Sequence, residues 1–62
     1  MINIKTLTEG DKNRKVIYQP HQDSKIEEGR ITSWNDEFIF VDYNNDGRGQ
    51  ATRPEDLDFI RP

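Results

Sequence analysis

Gly29-Arg30-Ile31-Thr32-Ser33-Trp34, then Asn35-Asp36-Glu37, then Phe38-Ile39-Phe40-Val41-Asp42-Tyr43 is the stretch whose reading decides the fold. Two runs rich in β-branched and aromatic residues, separated by a short polar cluster, predict a β-hairpin. With a three-residue connection, Trp34 is expected opposite Phe38, Thr32 opposite Phe40 and Arg30 opposite Asp42. Ile31 then faces Val41, and Ser33 faces Ile39, on the other side. A slip of one residue would exchange the two faces. The second run is apolar on both faces, so it is expected to be a central strand with cover on each side.

Working outward, Lys15-Val16-Ile17-Tyr18-Gln19 predicts a preceding strand that stops at Pro20, which has no N–H to donate to a ladder. Pro20 to Glu28 holds a single apolar residue, Ile26, and reads as an exposed loop. Asn44-Asn45-Asp46-Gly47-Arg48-Gly49 is a turn cluster leading into a short strand, Gln50-Ala51-Thr52. Arg53-Pro54-Glu55-Asp56-Leu57 predicts one 3₁₀ turn with Pro at its opening, and Asp58-Phe59-Ile60 a closing strand. Residues 1–10, with Ile2, Ile4 and Leu7, read as an N-terminal arm or short strand laid over the core. The expected fold is all-β, a small five-stranded, partly open barrel with one 3₁₀ turn before the last strand, in a single domain over residues 1–62.

Composition agrees with so small a unit and narrows what it can do. Of 62 residues, 31% are hydrophobic and 34% charged. Leu, Ile, Val and Phe number 14 of 62, which is 23% and just above the roughly 20% below which chains tend to stay disordered. A chain of this length buries only about 60% of the surface its unfolded form exposes, which leaves no interior for a deep catalytic cleft. The expected core is Val16, Ile31, Ile39, Val41, Leu57 and Ile60. With no Cys, disulfides and thiolate metal sites are excluded, and His21 is the sole imidazole. That histidine sits in a polar loop without a nucleophile to serve, so catalysis is not expected, nor is a cofactor.

Asp42-Tyr43-Asn44-Asn45-Asp46-Gly47 matches the opening of a calcium loop, with oxygen ligands at alternate positions before a glycine bend. Arg53 stands where the bidentate glutamate should be, and the flanks read as strands, so a plain hairpin turn is expected and no metal site. Nine basic against twelve acidic residues give a net charge of −3, a sign that disfavours generic nucleic-acid binding. No apolar stretch is long enough to span a membrane as a helix, and Met1-Ile2-Asn3-Ile4-Lys5 is too short for a secretory signal, so a cytoplasmic protein is expected.

Leu7-Thr8-Glu9-Gly10-Asp11, Lys15-Val16-Ile17-Tyr18, Glu28-Gly29-Arg30-Ile31-Thr32-Ser33, Phe40-Val41-Asp42-Tyr43 and Pro54-Glu55-Asp56-Leu57 together resemble the layout of SH3-like barrels, Tudor-like and KOW-like members in particular. Such domains open with a Gly-Asp turn and a Val-x-Tyr strand and finish with a short helical turn ending in Leu. The compact chain also resembles small phage and prophage proteins. The resemblance implies a binding module, with the Tudor-like aromatic cage near the loops joining strands one to two and three to four.

Up-and-down topology brings Tyr18 and Tyr43 to that same end and leaves Trp34 at the other, beside Phe38. Two tyrosines, with His21 as a third group, fall short of the aromatics that usually surround a methylated cation. The expected function is recognition of a protein or peptide partner through Tyr18, His21, Tyr43 and Arg48, the arginine meeting a partner carboxylate. One alternative is weak RNA or DNA binding through Lys12, Arg14 and Lys15, helped by Arg30, Arg48 and Arg53. Another is an acidic phage-encoded inhibitor of a host nucleic-acid enzyme, presenting Asp42, Asp46, Glu55, Asp56 and Asp58 as phosphate-like charges. Trp34 is expected to cap the core.

Overall fold

A computed structural model describes residues 1–60. Strand β1 spans Lys15–Tyr18, β2 Glu27–Trp34, β3 Ile39–Asp42, β4 Gln50–Thr52 and β5 Leu57–Phe59. All pair antiparallel in one open sheet of order β4-β3-β2-β1-β5. This small all-β sheet, with a 3₁₀ turn at Pro54–Asp56 before the last strand, is compatible with an SH3-like fold. The N-terminal segment lies as an arm rather than a strand, with further 3₁₀ turns at Ile4–Thr6 and Glu9–Asp11.

The connection from β4 to β5 makes the sheet curl. These strands lie at opposite edges, which in a flat five-stranded sheet would stand about 19 Å apart. Thr52 and Leu57 are joined through a 3₁₀ turn that advances only about 2 Å per residue, so the link reaches about 13 Å. The edges must therefore approach one another, which encloses one face of the sheet.

That face holds the core. Val16, Ile31, Ile39, Val41 and Leu57 are wholly buried, and Ile2 closes the cluster at 4% exposure. Ile2 takes the place expected of Ile60, which is only half-buried. The Ile2 N–H donates to the Pro54 carbonyl at 3.0 Å, tying the arm to the turn that crosses the open side. Ile60 instead donates its N–H to the Lys15 carbonyl, which continues the β1–β5 edge.

The central hairpin departs from its expected register halfway along. Arg30 lies opposite Asp42 and Ile31 opposite Val41 as expected, but Ser33 then faces Phe40 and Trp34 faces Ile39. A bulge at Thr32 supplies the extra residue, and the Thr32 hydroxyl donates to the Phe40 carbonyl at 3.0 Å. The shift carries Trp34 from the expected Phe38 partner onto the inner face, where it is half-buried against the core. Asn35 then closes the hairpin: its side-chain oxygen accepts the N–H groups of Glu37 and Phe38, at 2.8 and 2.7 Å.

Candidate functional site

Alternation along the strands sends Tyr18 inward with Val16 on β1, and Tyr43 inward just beyond Ile39 and Val41 on β3. Their rings meet edge to face with centroids 6.1 Å apart and planes at 66°. Across the strand between them lies Gly29. A β-carbon there would stand 2.5 Å from Val41 Cγ1, 2.9 Å from the Asp42 carbonyl oxygen and 3.0 Å from Tyr43 Cδ1. The glycine thus leaves room for the Tyr43 ring to fold over β2 toward Tyr18.

The Tyr43 hydroxyl lies 2.9 Å from the Thr52 hydroxyl, which itself donates to the Gln50 carbonyl at 3.1 Å. Because Thr52 has spent its one proton on Gln50, Tyr43 is the donor in that pair. Burial raises the Tyr43 pKa above its ordinary 10.0. The hydrogen bond to Thr52 opposes part of the rise, while the charge of Glu27 and the neighbouring Tyr18 add to it.

Above this pair opens a groove of ≈ 550 Å³. Tyr18, His21 and Tyr43 all line it, together with Pro20, Glu27 and Phe38. Four consecutive residues, Gln50 to Arg53, also line it, as does Asp56 of the last 3₁₀ turn. Arg48 is not among the lining residues. It is exposed in the turn before β4, where its N–H donates to the Asp46 carboxylate at 2.9 Å. Among the described residues the arginine that borders the groove is Arg53, 4.0 Å from the Glu55 carboxylate.

Glu27 and Thr52 line the groove without having been expected in any site, whereas Arg53 and Asp56 were expected only in the nucleic-acid and inhibitor alternatives. Glu27 lies opposite Tyr18 in the β1–β2 ladder, because β2 begins at Glu27 rather than Gly29. A longer first hairpin is the signal that would have found it.

The basic segment is differently disposed. Lys12 Nζ lies 3.1 Å from Glu9 Oε2, and an Arg14 guanidinium nitrogen lies 2.9 Å from Asp11 Oδ1. Arg14 also stacks on Phe59, 3.8 Å from the ring centroid. Lys15 is exposed beside a shallower depression shared with Glu28, Arg30 and Asp42. Asp11 is held below its ordinary pKa, first by the Thr8 N–H and then by Arg14.

Asp42, the first residue of the calcium-like loop, turns its carboxylate to the loop's own backbone. It accepts the N–H groups of Asn44, Asp46 and Gly47 at 3.2, 3.3 and 2.9 Å. These bonds, the one from Gly47 foremost, lower its pKa below the ordinary 3.8. Asn45 and Gly47 take left-handed conformations, with φ of 57° and 81°, so the segment is a capped turn. No helix among the described residues is long and apolar enough to cross a membrane. Comparison with protein-family models, with curated proteins and with solved structures finds no match to this chain.

Proposed function

We propose that this chain is a small non-enzymatic binding module, an SH3-like barrel of Tudor-like or KOW-like type, that recognises a protein or peptide partner at the end carrying Tyr18 and Tyr43. One observation carries the reading: the two tyrosines, in edge contact, face an open groove bordered by polar and charged groups. Rings with a polar tip suit a site that is apolar at its floor and wet at its rim. His21 and Arg53 supply further contacts, Arg53 taking the role first expected of Arg48. The nucleic-acid reading gains nothing comparable, since Lys12 and Arg14 are already engaged by Glu9 and Asp11.

Selection of short random peptides by display tests the proposal. Peptides enriched on the wild-type protein should bind Tyr18→Ala about tenfold more weakly, the loss of one aromatic anchor. The same peptides should bind Lys12→Ala unchanged. Equal binding to wild type and Tyr18→Ala, or enrichment of no peptide, would refute the site.

A further inference from the structure

The groove has a property that its side chains alone do not explain. Successive side chains of a strand point to opposite faces, yet Gln50, Ala51, Thr52 and Arg53 all border the same opening. A space touched by four consecutive residues runs along the side of the strand, so the groove follows the main chain of β4. Among the described residues β4 is the last strand of the sheet and pairs with β3 alone, so there the N–H and C=O groups turned away from β3 have no strand partner. Edge strands are commonly blunted by Lys, Pro or a bulge, and Gln50-Ala51-Thr52 has none of these. At the opposite edge, β5, the side chains are engaged: Arg14 stacks on Phe59, and the N-terminal ammonium meets the Asp58 carboxylate.

Charge decides what fits there. The lining carries the carboxylates of Glu27 and Asp56, and its one guanidinium among the described residues, that of Arg53, lies 4.0 Å from Glu55. Glu27 is near enough to Tyr43 to oppose ionisation of its hydroxyl. A second copy of this chain would bring the same carboxylates and another net charge of −3 to the seam. A cationic segment would neutralise them.

We propose that the partner binds as an extended strand, paired through its main chain to the free edge of β4, with a Lys or Arg side chain directed to Glu27 and Asp56. This rests on the reading of the tyrosine end as a peptide site, and it adds the mode of recognition and the chemistry of the partner. Main-chain pairing supplies affinity that depends little on side chains, and the carboxylates select the basic residue. The short edge, three residues of β4, limits the pairing to a few hydrogen bonds.

The test uses the full chain and the strongest peptide from the random library, resynthesised in two forms with alternate amides N-methylated. An extended strand turns alternate N–H groups to one side. One form should therefore lose about tenfold or more in affinity, and the other should bind like the parent. Replacing the peptide's basic residue with Gln, or Glu27 with Gln in the protein, should each weaken binding about fivefold. Equal binding of both N-methylated forms to that of the parent overturns edge pairing and leaves the tyrosine site intact. Indifference to both Gln substitutions overturns the cationic partner. Enrichment of no peptide at all overturns this proposal and the binding site together. Self-association that protects the Gln50 to Thr52 amides from exchange without peptide assigns the edge to a second copy and overturns the peptide.

Discussion

The two ends of the curled sheet carry aromatic residues in matching positions and use them in opposite ways. At the hairpin end, Trp34 turns inward opposite Ile39 and packs on the core, and a tight turn capped by Asn35 closes over it. At the other end, Tyr18 and Tyr43 also face inward, but they border an open groove to which the loop from Gln19 to Ile26 contributes Pro20 and His21. Residue type does not separate the two cases, since all three rings are half-buried. The backbone does. One extra residue at Thr32 rotates Trp34 into the core, whereas the absence of a side chain at Gly29 lets Tyr43 lie across the sheet toward Tyr18.

Substitutions can break this comparison, and the largest effect is expected at the closed end. Trp34→Ala should cost about 2–3 kcal/mol, below the range for a fully buried ring but a large part of the stability of so small a domain. Tyr18→Ala should cost markedly less, because its ring borders open space. Urea midpoints followed by circular dichroism measure both, and equal losses would erase the distinction between the ends.

Gly29→Ala comes next, at about 1–3 kcal/mol, because the new methyl must displace Val41 or the Asp42 main chain. Its signature is local: Tyr43 ring resonances should move while Trp34 emission holds. Tyr43→Phe should cost about 0.5–1.5 kcal/mol through loss of the bond to Thr52.

The smallest effects are those of pH, and they act in opposite directions on different groups. Tyr43 has a raised pKa, so the folded chain holds its proton more tightly than the unfolded chain. The resulting stability is full below the ordinary value of 10.0 and lost as pH climbs through the raised one. Asp42 and Asp11 have lowered values, so their contribution is present above 3.8 and lost as pH falls through the lowered ones. Tyr43→Phe should flatten the alkaline limb of a stability profile, and Asp42→Asn part of the acid limb.

Much of the fold was legible because its strands announce themselves as β-branched runs broken by Gly, Pro and Asn. Placing Tyr18 and Tyr43 at one end needed only the up-and-down order of those runs. The register beyond Ile31 was not legible, because Phe38 to Val41 is apolar on both faces and so imposes no single alignment. The bulge is settled by the Thr32 hydroxyl on the Phe40 carbonyl and by the Asn35 turn, contacts that exist only once the hairpin has formed. The same holds for the arginines. Arg48 lies in the turn whose N–H groups Asp42 gathers, and Arg53, just past β4, is the one that lines the groove. Ile2 was legible as part of an arm over the core, but its place in the buried cluster, where Ile60 was expected, goes with a main-chain bond to Pro54 that no hydrophobic pattern records.

Amide chemical-shift mapping of the wild-type chain with its strongest selected peptide bears most directly on the tyrosine end as the binding site. The shifts should concentrate at Tyr18, His21 and Tyr43 and along Gln50 to Arg53, with Trp34 and Lys12 to Lys15 unmoved. Shifts centred on Lys12 to Lys15, or on Trp34, would contradict it.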